Sequence, residues 1–229
     1  IRDSCTTASN HITIDGNRVW GNSHWNPYHS SGISMYLSSN HGGGNDPDGY
    51  SNRVTGNLVW NNYEDDTLGE GQQWGVTDGN GIIIDRNKES GGFGRTLVAD
   101  NVLADNGGPG IMVTEAQAVD VLNNTLYHNV RTRVPTVMNN GEIGCNGGYN
   151  VRIEGNIVVP REENPNLFQD FSCKDFLLAN NVWVRTRAPK HGASNITLKT
   201  GTRVLKAPRL VASEGNWTVI GEAEGRGAR

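Results

Sequence analysis

The sequence predicts an all-β fold, a solenoid in which short parallel strands stack coil upon coil. Composition is the first observation that predicts it. Glycine (30) and asparagine (28) make up 58 of the 229 residues, about a quarter, and both are unfavourable inside helices and common in turns. The second observation is that the apolar residues fall in short clusters. The third is that one strand pattern recurs six times along the chain.

The repeated unit is a short apolar or β-branched strand, a bend that contains asparagine, and a second apolar strand. The marker asparagines are Asn17, Asn57, Asn101, Asn124, Asn156 and Asn181, spaced 40, 44, 23, 32 and 25 residues apart. The two spacings near 24 indicate the basic coil, and the longer ones indicate insertions. One unit is too small to bury an apolar face, but units stacked about 4.8 Å apart share one interior.

Each marker asparagine is expected at a bend, where its side chain bonds the backbone of the next coil and forms a ladder. A second marker, glycine followed by apolar residues, starts at Gly32, Gly81 and Gly110 and predicts the strands of a further sheet. The alternative fold is an antiparallel sandwich with many Asn-Gly turns, which would not need asparagine at the same phase of successive strands. We predict a single domain of about seven coils, and a monomer.

Charge and cysteine content limit the classes of partner. The net charge of −4 gives no sign of binding to polyanions, so nucleic acid is not expected as a partner. The acidity is local, because residues 41–90 hold nine acidic and three basic residues. No apolar run approaches the roughly 20 residues of a membrane span. Cys5, Cys145 and Cys173 allow one disulfide, with a small buried thiol expected for at least one of them, and show no metal-ligand spacing.

Three consecutive segments carry a resemblance to a known fold. They are Asp78-Gly-Asn-Gly-Ile-Ile-Ile-Asp85, the stretch 94–101 and the stretch 108–111. Together they resemble bacterial repeat proteins with the right-handed parallel β-helix of the pectate-lyase-like superfamily, and the likeness covers residues 10–185. The ending is similar to the segment that closes many such helices, so we expect residues 196–229 to cover the last coil.

The resemblance also bears on location and partner. Because the repeat is already under way near Ile1, we expect the chain to be the C-terminal part of a longer solenoid. The superfamily implies an acidic polysaccharide as the partner, bound along a groove. We therefore expect a secreted or cell-surface protein that acts on, or binds, such a polymer.

Two columns of side chains are predicted beside the third sheet. In a strand of period two, Ile83 and Asp85 point outward, and the same count aligns Tyr36, Asp85 and Thr114 in one outward column. His29 and Asp78 lie three residues before successive marker glycines, which predicts a second column at the entrance of the strands. The insertions 41–51, 62–77 and 86–95 leave neighbouring coils and are expected to wall the groove.

β-Elimination is the favoured chemistry, since the resemblance points to uronic-acid polymers. The enzyme must remove the proton beside the uronate carboxylate and expel the glycosidic oxygen, and the base is commonly Lys or Arg in this superfamily. The candidate catalytic residues are Asp78, Asp85, Arg86, Lys88 and His29. The candidate substrate-binding residues are Tyr36, Trp25, Trp74, Arg53 and Thr114. Each charged candidate has a plainer alternative as a solvated or ion-paired loop residue.

Calcium is a candidate cofactor, because an acidic groove repels an acidic sugar unless a cation bridges them. The carboxylates that could supply oxygen ligands are Asp46, Asp48, Glu64, Asp65 and Asp66. The alternative is that these residues form solvated acidic loops.

The sequence departs from one lyase family with which it can be aligned. The family-9 polysaccharide lyases carry their catalytic lysine in a Gly-Asn-Gly-Phe-Lys segment, and the residue at that position here is Ile83. Their calcium aspartates would fall on Ser30, Ser31 and Met35. The machinery of that family is therefore not carried over.

Two other functions stay open. Hydrolysis needs two carboxylates about 5 to 9.5 Å apart, and a straight strand would place Asp78 and Asp85 too far from each other. A non-catalytic glycan-binding or structural protein is the third hypothesis. Trp20 and Trp60, each three residues after a marker asparagine, are expected to stack on each other.

Overall fold

The protein is a parallel β-helix, which confirms the predicted fold class. The computed structural model describes residues 11–24, 29–38, 45–64, 78–87, 94–132, 141–161, 168–184 and four short strands after residue 195. These residues form strands, bends and turns and no helix. Three sheets of parallel strands form the described solenoid.

The strands are numbered in chain order, and each of the first five coils contributes one strand to each sheet in turn, while the last two have described strands in sheets A and B. Sheet A holds β1 (Thr13–Asp15), β4 (Asn52–Thr55), β7 (Thr96–Ala99), β10 (Gln117–Leu122), β13 (Tyr149–Glu154), β16 (Lys174–Ala179) and β18 (Ile196–Leu198). Sheet B holds β2 (Arg18–Trp20), β5 (Leu58–Trp60), β8 (Val102–Ala104), β11 (Thr125–Tyr127), β14 (Ile157–Val159), β17 (Val182–Val184) and β19 (Arg203–Leu205). Sheet C holds β3 (Ile33–Tyr36), β6 (Ile82–Asp85), β9 (Ile111–Thr114), β12 (Ile143–Asn146) and β15 (Phe168–Phe171).

Sheets A and B each contain seven described strands, in agreement with the predicted number of coils. The seventh coil is formed by β18 and β19, which pair with β16 and β17. An antiparallel hairpin follows, formed by β20 (Arg209–Ser213) and β21 (Asn216–Ile220). Within the described residues no helix is long and apolar enough to cross a bilayer.

The interior is one continuous apolar column, because each strand turns its alternate side chains inward. Val54, Val98 and Val121 lie in register on sheet A and are fully buried. On sheet C, Ile84 and Val113 form a corresponding stack. A side chain of one coil therefore packs on its equivalents above and below, and the coils depend on one another for burial.

The predicted asparagine ladder is confirmed at the bend between sheets A and B. Asn101 shows the pattern: its Oδ1 accepts the backbone N–H and the side-chain amide of Asn57, at 2.9 Å each. Its Nδ2 donates to the carbonyl of Val54 at 2.8 Å and to Oδ1 of Asn124 at 2.9 Å. The same contacts continue to Asn181, so all six marker asparagines belong to one ladder.

A second asparagine ladder lies at the bend between sheets B and C and was not predicted. It is formed by Asn22, Asn62, Asn106 and Asn129, linked through their side-chain amides. Each of these residues stands five positions after a marker asparagine, a spacing that could have revealed them.

The second ladder explains the marker glycines before sheet C. A Cβ on Gly81 would lie 2.7 Å from the carbonyl oxygen of Gly110 and 2.9 Å from Nδ2 of Asn106. Gly110 is equally confined, against Asn129 at 2.8 Å. Glycine is required at these positions because the chain passes too close to the ladder for any side chain.

Glu142 ends the second ladder, and its buried carboxyl predicts an unusual dependence of stability on pH. Its Oε2 accepts a hydrogen bond from Nδ2 of Asn129 at 2.7 Å, while its Oε1 has no hydrogen-bond partner among the described residues. Burial raises the pKa of Glu142 from its ordinary 4.5 to about 8. The folded state therefore holds this proton more tightly than the unfolded state does. The stability that results is fully present below about pH 4.5 and is lost as the pH rises through about 8.

We expect Glu142→Gln to remove this part of the pH dependence, because the amide still accepts from Asn129 and carries no ionisable proton. Urea denaturation should show the variant as stable as the wild type near pH 5 and more stable near pH 9. Glu115→Gln, at an exposed carboxylate, is the matched control. Equal losses of stability in the wild type and in Glu142→Gln on going to high pH would contradict the assignment.

The disulfide joins Cys145 and Cys173, two of the three cysteines, across 28 residues of sequence. Cys145 lies in the core on β12, and Cys173 is the residue before β16. Gly148 lies close to this bridge. A Cβ there would be 2.8 Å from Sγ of Cys145, so a larger residue would collide with the sulfur. The one possible disulfide is thus formed by these two residues, and Cys5 lies outside the described residues.

Candidate active site

The predicted outward column on sheet C is confirmed by the strand register. Tyr36 is the Cα partner of Asp85, and Asp85 is the partner of Thr114. Asn146 continues the column on the next strand. All four side chains are partly exposed. These positions are therefore neighbours in space although 110 residues of sequence separate the first from the last.

The side chains in the middle of the outer face of sheet C are less exposed than their outward positions predict. Ile83 and Met112 occupy outward positions, as counted, but they are 5% and 3% exposed. The Met112 thioether lies over Gly144, where a Cβ would come within 2.3 Å of the sulfur. Solvent reaches Asp85 and Thr114 at the carboxyl ends of β6 and β9 and not the centre of these strands, so polar chemistry on the two strands is confined to that end.

Arg86 follows Asp85 at the bend where the chain leaves sheet C. Its Nη1 donates to the Tyr36 hydroxyl at 3.4 Å, and its Nε lies 3.6 Å from Oε2 of Glu115. The backbone of Arg86 is left-handed (φ 56°), as is that of Leu37 (φ 54°) one coil earlier and of Glu115 (φ 45°) one coil later. The bend demands this conformation at every coil, so the φ of Arg86 reflects the fold and not a specific function.

At the entrance of sheet C, three ionisable side chains meet. Nδ1 of His29 lies 3.6 Å from Oε1 of Glu64, an ion pair when the histidine is protonated. Oε2 of Glu64 accepts the backbone N–H of Asp78 at 3.2 Å. His29 is exposed, Asp78 is partly exposed and Glu64 is buried. The cluster therefore has a solvent-facing histidine, a partly exposed aspartate whose carboxyl is shielded from solvent, and a buried glutamate.

The Asp78 carboxyl is poised to exchange a proton near neutral pH. Burial raises its pKa from 3.8 to about 7, and the negative charges of Glu64 and then Asp85 add to the shift. The charge of Asp85 thus acts on Asp78, and the expectation that the two carboxylates are too far apart for hydrolysis stays a prediction. Only Ile82–Asp85 is extended strand, and Gly79 before it has a left-handed backbone (φ 75°), so the rise per residue of a strand does not apply. The entrance and outward columns therefore interact electrostatically through Asp78 and Asp85.

Asp46, Asp48 and Arg53 lie elsewhere, on the outer side of sheet A. Nη1 of Arg53 is 2.9 Å from Oδ2 of Asp46, and Nη2 is 2.5 Å from Oδ1 of Asp48. Tyr50 binds Asp120 on β10 through its hydroxyl at 2.9 Å. The described half of the 41–51 insertion is therefore held against sheet A by these contacts and does not wall the groove of sheet C.

The calcium candidates that the structure describes are already engaged. Asp46 and Asp48 hold Arg53, and Glu64 holds His29 and the N–H of Asp78. Among the described residues no group of three His, Cys, Asp or Glu side chains is placed to hold a metal ion. The calcium prediction therefore depends on Asp65 and Asp66, which lie outside the described residues together with Trp25, Trp74 and Lys88.

An aromatic and basic group beside the entrance was missed at the sequence level. The rings of His24 and Tyr63 lie 3.7 Å apart between centroids, and the guanidinium carbon of Arg131 lies 4.7 Å from the Tyr63 ring. Nη1 of Arg131 donates to Oδ1 of Asn61 at 2.6 Å. No sequence spacing marks these residues, since they come from three coils and meet only through their side chains.

Trp20 and Trp60 stack as predicted, with ring centroids 5.0 Å apart and an angle of 11° between the planes. They stand at the end of the sheet B strands, in register with each other. Trp20 is 56% exposed, so an aromatic surface borders the bend that leads to Asn61 and Tyr63.

Comparisons with known proteins add a limited finding. No family model matches the sequence, and no match was found among curated proteins. Among solved structures, the chain is similar to the A-module of a mannuronan C-5 epimerase from Azotobacter vinelandii, with 19% identity and a TM-score of 0.44. The alignment covers 86% of this chain and 52% of that one, so the chain spans about half the length of the epimerase module. The fold assignment therefore depends on the strand pairing itself, and membership of the pectate-lyase-like superfamily stays a prediction.

Proposed function

We propose that this chain is a secreted polysaccharide lyase that cleaves a uronic-acid polymer by β-elimination, with Asp78 and His29 as the acid–base pair. The observation that carries the proposal is the entrance cluster, in which a partly exposed Asp78 has a pKa of about 7 next to a Glu64–His29 pair. A group that titrates near the working pH can both take and return a proton, which is the property required of an acid–base catalyst.

The reaction can be written on these residues. The Asp78 carboxylate takes the proton on the carbon next to the uronate carboxylate, and the electron pair forms a carbon–carbon double bond. The bond to the glycosidic oxygen breaks, and the imidazolium form of His29, which lies beside Glu64, gives that oxygen its proton. The products are an unsaturated sugar end and a new reducing end.

Elimination fits the cluster better than hydrolysis does. A hydrolase needs a second carboxylate that attacks the sugar or activates water. Glu64 is only 4% exposed, and its two oxygens face His29 and the N–H of Asp78. It is therefore placed to orient and charge-stabilise its neighbours and not to reach a substrate carbon.

Two further features support an extracellular, polymer-directed role. The Cys145–Cys173 disulfide is of the kind that persists in oxidising compartments. The candidate site lies along a stack of equivalent coils, a surface suited to an extended polymer with its own repeat. A calcium requirement is a separate proposal, and calorimetric titration of chelator-treated protein with Ca²⁺ would test it.

The test is a panel of uronic and neutral polysaccharides, followed by ultraviolet absorbance of the unsaturated product and by reducing ends. We expect both signals to rise together on one uronic polymer. Asp78→Asn should lower the rate about 100-fold or more, since it removes the proton acceptor while retaining the shape of the side chain. Asp15→Asn, at an aspartate on sheet A that binds Thr55, should leave the rate unchanged.

The pH profile gives an independent check. Because Asp78 must be ionised to act as the base, the acid limb of the kcat/KM profile should rise with pH through about 7, the pKa of that carboxyl. New reducing ends without absorbance would identify a hydrolase instead. Absence of both signals on every polymer would overturn the proposal of cleavage.

A further inference from the structure

Arg131 occupies an unusual position for a surface arginine. It belongs to the fourth coil, two residues after Asn129 of the second ladder, yet its guanidinium contacts residues of the second coil. Nη1 donates to Oδ1 of Asn61 at 2.6 Å, and the guanidinium carbon lies 4.7 Å from the centroid of the Tyr63 ring. The side chain therefore crosses the third coil, and its head is held at two points.

The third coil permits this crossing because its residue at the crossing point is a glycine, Gly107. Gly107 lies between Tyr63 and the Arg131–Thr132 segment, and its N–H donates to the carbonyl of Asn62 at 2.7 Å. A Cβ on Gly107 would come within 2.5 Å of Cβ of Tyr63 and 2.7 Å of Oγ1 of Thr132. Only glycine allows the second and fourth coils to approach each other at this bend.

The charge of Arg131 is not offset within the described residues. Five other described arginines lie within ion-pair distance of a carboxylate, namely Arg53, Arg86, Arg95, Arg152 and Arg161. Among the described residues, Arg131 is held by a neutral amide oxygen and an aromatic ring and by no carboxylate. In the pair of Arg161 with Asp105, for example, Nη2 of the arginine lies 2.5 Å from Oδ1 of the aspartate. Arg131 thus presents an ordered guanidinium whose positive charge is available to an anionic ligand.

This guanidinium stands beside the entrance cluster. Tyr63 directly precedes Glu64, and a Cβ on Gly79 would lie 3.1 Å from Cα of Tyr63 and 2.8 Å from the backbone nitrogen of Glu64. Gly79 in turn follows Asp78. The segment that orients Arg131 and the segment that carries Asp78 are therefore packed on each other.

We propose that Arg131 binds the carboxylate of a uronic-acid residue in the substrate, and so selects uronic over neutral sugars. The inference rests on the proposed function, and it assigns to that site the group that recognises the substrate's charge. A planar guanidinium pairs with a carboxylate through two parallel hydrogen bonds. Such a pair also withdraws charge from the carboxylate, which stabilises the negative charge that develops when the neighbouring proton leaves.

Arg86 is less suited to this role. Its Nε is 3.6 Å from Glu115 and its Nη1 is bound to Tyr36, so a substrate carboxylate would compete with a carboxylate already present. Arg131 meets no such competitor among the described residues. The two arginines therefore differ in whether a carboxylate of the protein already balances the charge of the guanidinium.

The test measures binding apart from catalysis. Oligosaccharides of galacturonate, mannuronate and guluronate, and the same oligosaccharides with their carboxylates reduced to alcohols, are titrated into Asp78→Asn protein by calorimetry. We expect Arg131→Gln to weaken binding of the charged oligosaccharide about 10-fold or more and to leave the reduced one unaffected. Arg131→Lys should recover part of the affinity, because it retains the charge without the planar fork.

Arg18→Gln is the matched control, since Arg18 is an exposed arginine on β2 outside the site. Thermal unfolding of each variant shows that the fold is retained. If the wild type cleaves uronic polymers and Arg131→Gln binds them as tightly as before, the inference fails and the proposed function stands. If nothing is cleaved but the charged oligosaccharide binds through Arg131, the inference stands and the lyase proposal fails. Equal losses for charged and reduced oligosaccharides, or no binding of any uronate by the wild type, would overturn the inference.

Discussion

Asn101→Ala should destabilise the protein by about 4 kcal/mol, the largest effect of a single substitution that we expect. The Asn101 side chain is fully buried and takes part in four hydrogen bonds with Asn57, Val54 and Asn124. Truncation leaves the backbone N–H of Asn57 and the carbonyl of Val54 without these partners in a dry interior. Each buried polar group left unsatisfied costs roughly 1–3 kcal/mol.

Asn101→Asp tests the same contacts in another way. A carboxylate cannot donate to the carbonyl of Val54 or to Oδ1 of Asn124, and burial disfavours its charge. We therefore expect the aspartate variant to be less stable than Asn101→Ala at neutral pH. It should recover stability as the pH falls, because the protonated acid can donate one hydrogen bond and carries no charge.

Urea denaturation followed by circular dichroism measures both variants. Asn17→Ala is the matched control, since Asn17 lies in the first described coil, is partly exposed and donates to Asp15 and Asn57 only. It should cost about 1 kcal/mol. An Asn101→Ala protein within 1 kcal/mol of the wild type would show that the ladder is not a principal source of stability.

Removal of the disulfide has the second largest expected effect. The bridge between Cys145 and Cys173 closes a loop of 28 residues, which restricts the unfolded chain by about 3.5 kcal/mol in the chain-entropy model. We expect Cys145→Ala with Cys173→Ala to lose about that amount. Because each coil contacts chiefly its neighbours, the loss should be concentrated in the coils around β12 and β16.

Hydrogen exchange resolves where the loss occurs. Amides of β13 and β16 should exchange faster in the double variant, while those of β4 and β5 should keep their protection. Treatment of the wild type with a reducing agent should reproduce the change, and Cys5→Ala should not, since it leaves the bridge intact. Uniformly faster exchange along the whole chain would contradict a local role for the disulfide.

The sequence predicted the fold because the features that define it are local and repeat. The six marker asparagines are spaced by whole coils, so their alignment follows from counting residues, as does the stacking of Trp20 on Trp60. The column of Tyr36, Asp85 and Thr114 follows in the same way from a period of two after each marker glycine. The second ladder was equally within reach, at a constant five residues after the first.

The site was predicted less completely, since it depends on contacts between coils whose turns differ in length. His29 and Asp78 were placed at the entrance, but their link through Glu64 was not, and Glu64 was assigned to a metal. Arg53 was assigned to the substrate and instead binds Asp46 and Asp48. A long flexible side chain can reach several partners, and sequence spacing does not choose among them.

By itself the sequence determined the solenoid, the register of its strands and the residues that face outward, because backbone hydrogen bonds and burial impose one repeat on every coil. The tertiary structure alone decided which charges meet. It placed Glu64 beneath Asp78, joined Asp85 to the same site, and carried Arg131 across Gly107 to Tyr63. These contacts depend on how far side chains extend over irregular bends, and electrostatic interactions act over those distances irrespective of position along the chain.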